Sequence, residues 1–212
     1  MWKMLELEEM DFNELYKHLL NASRNTFQMA HKAHPDETFY TFGFYRPFTN
    51  LIIPTCNSEQ AHMRLGNLTE CERENETLKW FYMRWRADQW EYHYSGQEHF
   101  APVCEWVNDN IEGYVRPRDQ ELIWANIANK MSAVYLKVLM ALDEEKLFGQ
   151  GSAREGVLLN LIAEPNHYFD KYEYARLLNP IPTYERWRIE IELCEHTQEF
   201  FDPSPNFDPD SE

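Results

Sequence analysis

Thr38-Phe39-Tyr40-Thr41-Phe42-Gly43-Phe44-Tyr45, then Arg46-Pro47-Phe48-Thr49-Asn50, then Leu51-Ile52-Ile53-Pro54, is the stretch that decides how this chain folds. Its first eight residues are aromatic, β-branched or glycine, a composition that packs on a pleated surface and lacks the spacing of an amphipathic helix. The five residues after it carry turn chemistry, and Leu51-Ile52-Ile53 resumes an apolar run that stops at Pro54. The reading is a β-hairpin over residues 38 to 53. Most of the remaining chain has helical periodicity, so the hairpin has helices to pack against.

On the N-terminal side, Asp11 followed by Glu14 has the form of a helix cap. Phe12, Leu15, Tyr16, Leu19, Leu20, Phe27 and Ala30 follow at helical spacing, and Pro35 ends the helix by disfavouring helical geometry at His34. On the C-terminal side, Ser58 with Glu59 and Gln60 opens a second helix through Ala61, Leu65 and Leu68. Residues 70 to 76 are acid-rich and read as solvated. Trp80-Phe81-Tyr82-Met83-Arg84-Trp85 reads as a third strand, with Trp85 and Trp90 in the core and Arg84 and Arg86 facing solvent. Phe100, Val103, Cys104, Val107 and Ile111 form a helical stripe.

The longest helical pattern follows Pro117, with Leu122, Ile123, Ile127, Met131, Val134, Tyr135, Val138, Leu139 and Leu142 three and four residues apart. Gly149 and Gly151 end that tract, and residues 156 to 163 read as a short buried strand. Tyr168, Phe169, Tyr172, Ala175 and Leu178 suggest a further helix closed by Asn179-Pro180. Residues 184 to 193 fit both periods, and the alternation of Trp187, Ile189, Ile191 and Leu193 favours a strand. The expected fold is α+β: an antiparallel sheet built on the N-terminal hairpin, packed against several helices. Residues 1 to 200 form one domain, and 201 to 212 form an acidic, proline-containing tail.

With 43% hydrophobic and 15% aromatic residues, the 212-residue chain has material for a substantial core, and its 7 glycines argue against an all-β fold. Its 36 acids against 20 bases give a net charge of −16. Such a surface repels phosphate backbones and anionic membranes and favours cationic proteins as partners, although solubility alone also explains acidity. Eight of the acids, and no Lys or Arg, lie from Glu190 onward. The sequence shows no signal-peptide pattern and no run long enough to span a membrane. Cys56, Cys71, Cys104 and Cys194 are scattered, so reduced thiols and a cytoplasmic address are expected.

No chemical motif stands out. His31 with His34, His93 with His99 and Cys104, and Cys194 with His196 have no closed zinc spacing. Gly149, Gly151 and Gly156 follow a helix and lack the Lys-Ser/Thr of a phosphate loop. Acid pairs such as Glu190 with Glu192 are too common here to mark acid–base chemistry, and no Gly-x-Ser-x-Gly occurs. The expectation is therefore no catalytic residue, no metal and no cofactor. The aromatic cluster from Trp80 to Tyr94 reads either as core or as a binding surface, since Trp, Tyr and Arg dominate interface hot spots.

Several landmarks in order resemble a known family: His34-Pro35-Asp36-Glu37-x-Phe39-Tyr40, Thr55-Cys56-Asn57-Ser58-Glu59, Arg84-Trp85 leading to Trp90, Leu147-Phe148-Gly149 and Leu178-Asn179-Pro180. Together they resemble the bacterial family of domain of unknown function 4303, over roughly residues 10 to 180. The resemblance implies a bacterial cytosolic protein and supplies no catalytic residues. Small acidic domains of this kind look like immunity partners of interbacterial toxins. The expected function is an immunity-type protein that binds a cognate toxin, or another cationic protein, and blocks its active site. Nucleic acid and membrane are not expected as partners. A small hydrolase or transferase with a Cys/His or carboxylate site, or an acidic adaptor, is the alternative. The expected contact residues are the acids near the hairpin and third strand: Asp36, Glu37, Asp88 and Glu91.

Overall fold

The computed structural model describes residues 10–46, 52–67, 80, 83–112, 121–163 and 171–201. It is an α+β fold with seven α-helices and a three-stranded sheet among those residues. Helix α1, Phe12–Ala33, starts where the Asp11 carboxylate accepts from the backbone N–H groups of Asn13 (2.9 Å) and Glu14 (3.3 Å). It buries the stripe Leu15, Leu19, Ala22, Phe27 and Ala30 and ends at His34, before the proline.

Strand β1, Phe39–Arg46, pairs antiparallel with β2, Ile53–Ser58, so the expected hairpin exists. Its second strand does not end at Pro54: Thr55, Cys56 and Asn57 continue the ladder opposite Gly43, Phe42 and Thr41. Proline is tolerated there because β2 lies at the sheet edge in the order β2-β1-β3. Between Phe39 and Thr41 the register shifts by one residue, a bulge. Phe39 and Phe42 then stack on each other with ring centroids 5.2 Å apart. Tyr40 turns to other neighbours, Trp85 and Trp90.

The third strand is β3, Leu158–Ala163, within the run expected to be buried. It lies parallel to β1, so a crossover carrying helices joins them. Trp80 to Trp85 is not that strand: Trp80, Met83 and Arg84 are helical and Ala87–Gln89 is a 3₁₀ turn. The physical reason is visible at the Arg84 carbonyl. It accepts from the Tyr40 hydroxyl (2.8 Å) and the Trp90 indole N–H (2.9 Å), so side chains replace the strand partner.

Between these elements run α2 (Glu59–Asn67), α3 (Ala101–Val107, extended by a π turn to Glu112) and α4 (Glu121–Glu144). Helix α4 buries Ile127, Met131, Val134, Tyr135, Val138 and Leu142, as its spacing predicts. The short α5 (Ser152–Glu155), then α6 (Lys171–Leu178) and α7 (Ile181–Phe201) complete the fold. Residues 184 to 193 belong to α7 and are helical, against the strand reading. Trp187 is 3% and Ile191 8% exposed, one helical turn apart, whereas Ile189 is 54% exposed and an alternating strand would have buried it.

The main core joins α1, α3 and α4 to one face of the sheet through Phe27, Phe42, Phe44, Phe100, Tyr135 and Phe148. A smaller cluster of Leu158, Ala175, Trp187 and Ile191, with Trp85 and Tyr184 against it, covers the other side. Arg154 ties the C-terminal half together, reaching Asp143 (2.6 Å) and the carbonyls of Val157 (2.6 Å) and Leu178 (2.8 Å). Asn179 acts as a short surrogate strand, with its side-chain amide exchanging both hydrogen bonds with the Leu159 backbone (2.8 and 2.7 Å). The turn at residues 47 to 50, the acid run at 70 to 76, Pro117, Tyr168, Phe169 and the tail from 202 lie outside the described residues.

Gly43 sets how closely β1 and β3 approach: an added Cβ would lie 2.1 Å from the Asn160 carbonyl oxygen. Gly43→Ala is expected to cost about 3 kcal/mol and lower Tm by roughly 6–12 °C. Gly151→Ala meets nothing within 4 Å, but at φ 56° and ψ −132° it takes a backbone conformation that nearly only glycine adopts, so it is expected to cost about 2 kcal/mol through backbone strain alone. Thermal denaturation checks both, and a Gly43→Ala protein melting like the parent would refute the β1–β3 pairing.

Candidate functional site

Tyr40 from β1, Glu59 opening α2, Arg84 from the turn segment and Glu190 on α7 converge at one end of the sheet. Arg84 is only 9% exposed, and its two terminal nitrogens donate to the two oxygens of Glu59, both at 2.6 Å. Its guanidinium carbon sits 3.9 Å above the Tyr40 ring centroid, a cation–π contact shielded from water. Its Nε lies 3.3 Å from Glu190 Oε2, and the same oxygen accepts the Trp85 indole N–H at 3.0 Å. Burial opposes the Arg84 charge, but the hydrogen bonds and charge of Glu59, with Tyr40 and Glu190, outweigh it and hold the guanidinium firmly protonated. Burial also pushes the Tyr40 phenol up, and Asn57 donates to its oxygen at 3.0 Å. The outward-facing role expected of Arg84 is corrected: an excess of acids and an aromatic floor pull it inside.

His62 lies next to this pair and is 1% exposed, its ring centroid 3.9 Å from that of Trp80. Neither ring nitrogen has a hydrogen-bond partner among the described residues. Burial, reinforced by the Arg84 charge against the pull of Glu59, lowers its pKa to about 4, so the imidazole is neutral at pH 7.

A second network stands beside the first. Glu37 accepts from Ser58 Oγ (2.5 Å), Tyr92 OH (2.6 Å) and Arg64 Nη2 (2.8 Å). Arg64 also forks onto Glu91, at 2.9 and 3.0 Å. Burial works against ionising Glu37, but the three donors outweigh it and hold the carboxyl below its usual range. Of the expected contact residues, Glu37 and Glu91 are therefore brought together by Arg64, and Asp36 is exposed beside Glu37. Asp88 is engaged with its own neighbours, Arg86 (2.8 and 3.1 Å) and Gln89 (2.9 Å). Sequence reasoning missed Arg64, Arg84, Glu59 and Tyr92. The available signal was an arginine set among aromatic residues, which suits stacking as well as solvent.

Between these networks and the α4–α5 turn opens a cleft of about 780 Å³. Glu37, Glu59 and Arg84 border it on one side, and Lys146, Ser152 and Arg186 on the other; Phe39, Leu147, Phe148 and Val157 give it apolar walls. Four of the five sequence landmarks quoted above thus contribute residues to its lining.

Among the described residues no three His, Cys, Asp or Glu side chains gather as a metal site. His93 instead shares a 3.2 Å hydrogen bond with Thr55 Oγ1. Burial pushes the thiols of Cys56 and Cys104 up, away from the reactive thiolate. Cys71 and the side chain of Cys194 lie outside the described residues. No described helix is long and apolar enough to cross a membrane.

The chain belongs to the family described as domain of unknown function (DUF4303), whose model matches residues 19–180. No curated protein and no solved structure matches it.

Removing Arg84 leaves Glu59 and Glu190 without their shared cation. Arg84→Ala is expected to lose about 3 kcal/mol of stability, and Arg84→Lys to recover only part of it because an ammonium cannot fork onto Glu59. Urea unfolding measures both. His62 adds a pH dependence: its folded pKa of about 4 lies below the unfolded 6.5, so the unfolded state binds the extra proton. Stability should fall as pH drops from 6.5 towards 4. His62→Phe should flatten that decline, and an unchanged slope would show that His62 is not its source.

Proposed function

We propose that this protein is an immunity-type inhibitor of bacterial origin, which binds a cationic toxin in the cytoplasm and blocks the toxin's active site. The observation that carries the reading is the acidic patch around Arg64. Glu37 and Glu91 are two carboxylates on one guanidinium, and the exposed Asp36, next to Glu37 in the chain, has no cationic partner among the described residues. The patch keeps an excess of negative charge, and the Ser58 and Tyr92 hydrogen bonds hold Glu37 in a fixed geometry. A negative patch that is already ordered loses little entropy when a basic surface docks on it.

The wider field points the same way. A net charge of −16 steers cationic proteins towards the chain and disfavours nucleic acid and anionic membrane as partners. The rival reading, a small hydrolase or transferase, has less support. The described thiols are pushed away from the thiolate, and the carboxylates of the site are engaged in ion pairs.

The test is a pull-down from the source cell followed by association kinetics at two salt concentrations. Screening acts over about 8 Å at physiological ionic strength, so raising the salt should slow association markedly. Asp36→Lys should reduce the association rate by about three- to tenfold at low salt, with a smaller effect on dissociation. Removing residues 202 to 212 should leave binding intact. An acidic partner, or an association rate indifferent to salt, would sink the proposal.

A further inference from the structure

Several bases of this acidic protein, Lys17, Lys32, Lys137 and Arg176 among them, have no carboxylate partner among the described residues, and Lys146 and Arg186 are set apart by their place. Both border the 780 Å³ cleft, and neither has a carboxylate partner among the described residues. Arg186 is held at the rim by backbone alone, donating to the carbonyls of Glu155 (3.2 Å) and Gly156 (3.4 Å).

Lys146 occupies the left-handed position that closes α4, with φ of 64°. The Leu147 N–H reaches the Leu142 carbonyl (3.1 Å) and the Lys146 N–H reaches that of Asp143 (2.8 Å), the two bonds of a Schellman cap. Glycine is the usual residue at that position, and here a lysine stands in it. The turn continues through Gly149 and Gly151, both at positive φ, and wraps the apolar side of the cleft.

The other charges of the cleft are already engaged. Arg84 is neutralised by Glu59, and Glu37 is held by Arg64. Lys146 and Arg186 are the cations of this lining that no carboxylate among the described residues holds, and the lining also supplies the apolar walls of Phe39, Leu147, Phe148 and Val157. A volume of this size suits a small organic molecule.

We infer that this cleft is a binding site for a small monocarboxylate with an apolar body, its carboxylate held by Lys146 and Arg186. The body lies on the phenylalanine wall, and burial of that apolar area supplies most of the affinity. Glu37 and Glu59 each share their guanidinium with a second carboxylate, Glu91 and Glu190, so the negative charge left over disfavours a doubly charged phosphate more than a single carboxylate. A cationic molecule of the same shape gains nothing from the two uncompensated cations. This site is distinct in chemistry from the acidic patch proposed to meet a protein partner, although Glu37 belongs to both.

The experiment titrates the purified full chain alone, so its outcome is separate from that of the partner reading. Ligand-observed NMR follows indole-3-acetate, tryptamine and adenosine 5′-monophosphate at low salt. Indole-3-acetate is expected to saturate with a Kd of about 0.1–1 mM, and the other two to bind at least about tenfold more weakly. Lys146→Gln with Arg186→Gln should weaken indole-3-acetate by about tenfold or more. Lys146→Gly, which suits the left-handed backbone, should also weaken it while retaining the fold, as read from its melting temperature. The inference is overturned by any of three results: no saturation with indole-3-acetate up to 10 mM, equal or tighter binding of tryptamine or the nucleotide, or undiminished binding by the double variant.

Discussion

Strand β1 is covered on both faces, and that constraint organises the rest of the molecule. Phe39, Tyr40, Thr41, Phe42, Gly43 and Phe44 are all buried, so no side of the strand is left to water. A strand flanked by two others and covered above and below needs two layers of cover from a chain of modest length. Helices α1, α3 and α4 supply one layer with aliphatic and phenylalanine side chains. The segment around Arg84 and helix α7 supply the other with Trp85, Trp90 and Trp187. The bulge at Tyr40 makes the division possible, because without it Tyr40 and Phe42 would share a face.

The second layer is thin, and its thinness explains the buried charges. Indole and phenol rings cover area with few residues, but each carries a polar atom that needs a partner once it is dry. The Arg84 carbonyl receives two such atoms, from Tyr40 and Trp90, and Glu190 receives the Trp85 N–H. Placing that backbone also places the Arg84 side chain inside, where Glu59 and Glu190 must follow it. His62 beside Arg84 has no hydrogen bond on either nitrogen among the described residues, and it is the neutral form that burial selects. The ion pair is thus a consequence of covering a strand with aromatic residues, and its stabilising contribution is smaller than the cost of breaking it.

How legible this was in the sequence depended on whether the deciding contacts were local. The Asp11 cap, the α1 and α4 stripes, the start of the hairpin and the buried run that became β3 are written in spacings of a few residues, and they could be read. Trp80 to Trp85 looks like a strand because aromatic residues favour strands, yet the backbone at Arg84 is held by Tyr40, more than forty residues away. Residues 184 to 193 carried both periods, and only the presence of Leu158 beneath Trp187 and Ile191 selects the helix. The parallel placement of β3 was equally invisible, since strand direction depends on where the intervening helices pack. Two of the acids singled out from the sequence, Glu37 and Glu91, are brought together, but the arginine that gathers them comes from α2 and carries no local signal of that role.

Sorting the charges by whether they are spent gives the surface a meaning that the net charge hides. Arg24 with Glu145, Arg86 with Asp88, and Arg188 with Glu185 and Glu192 cancel locally and contribute little to any long-range field. Such pairing uses up bases faster than acids in a chain with nearly twice as many acids. The charge left over is therefore negative in sum, although several bases, Lys17, Lys32, Lys137 and Arg176 among them, also lack a carboxylate partner among the described residues. Lys146 and Arg186 differ from these in lining one cleft together. An unpaired base on an acidic protein is informative by its place more than by its being unpaired, and two of them beside the apolar walls of one cleft leave there a charge that no carboxylate of the described fold has taken up.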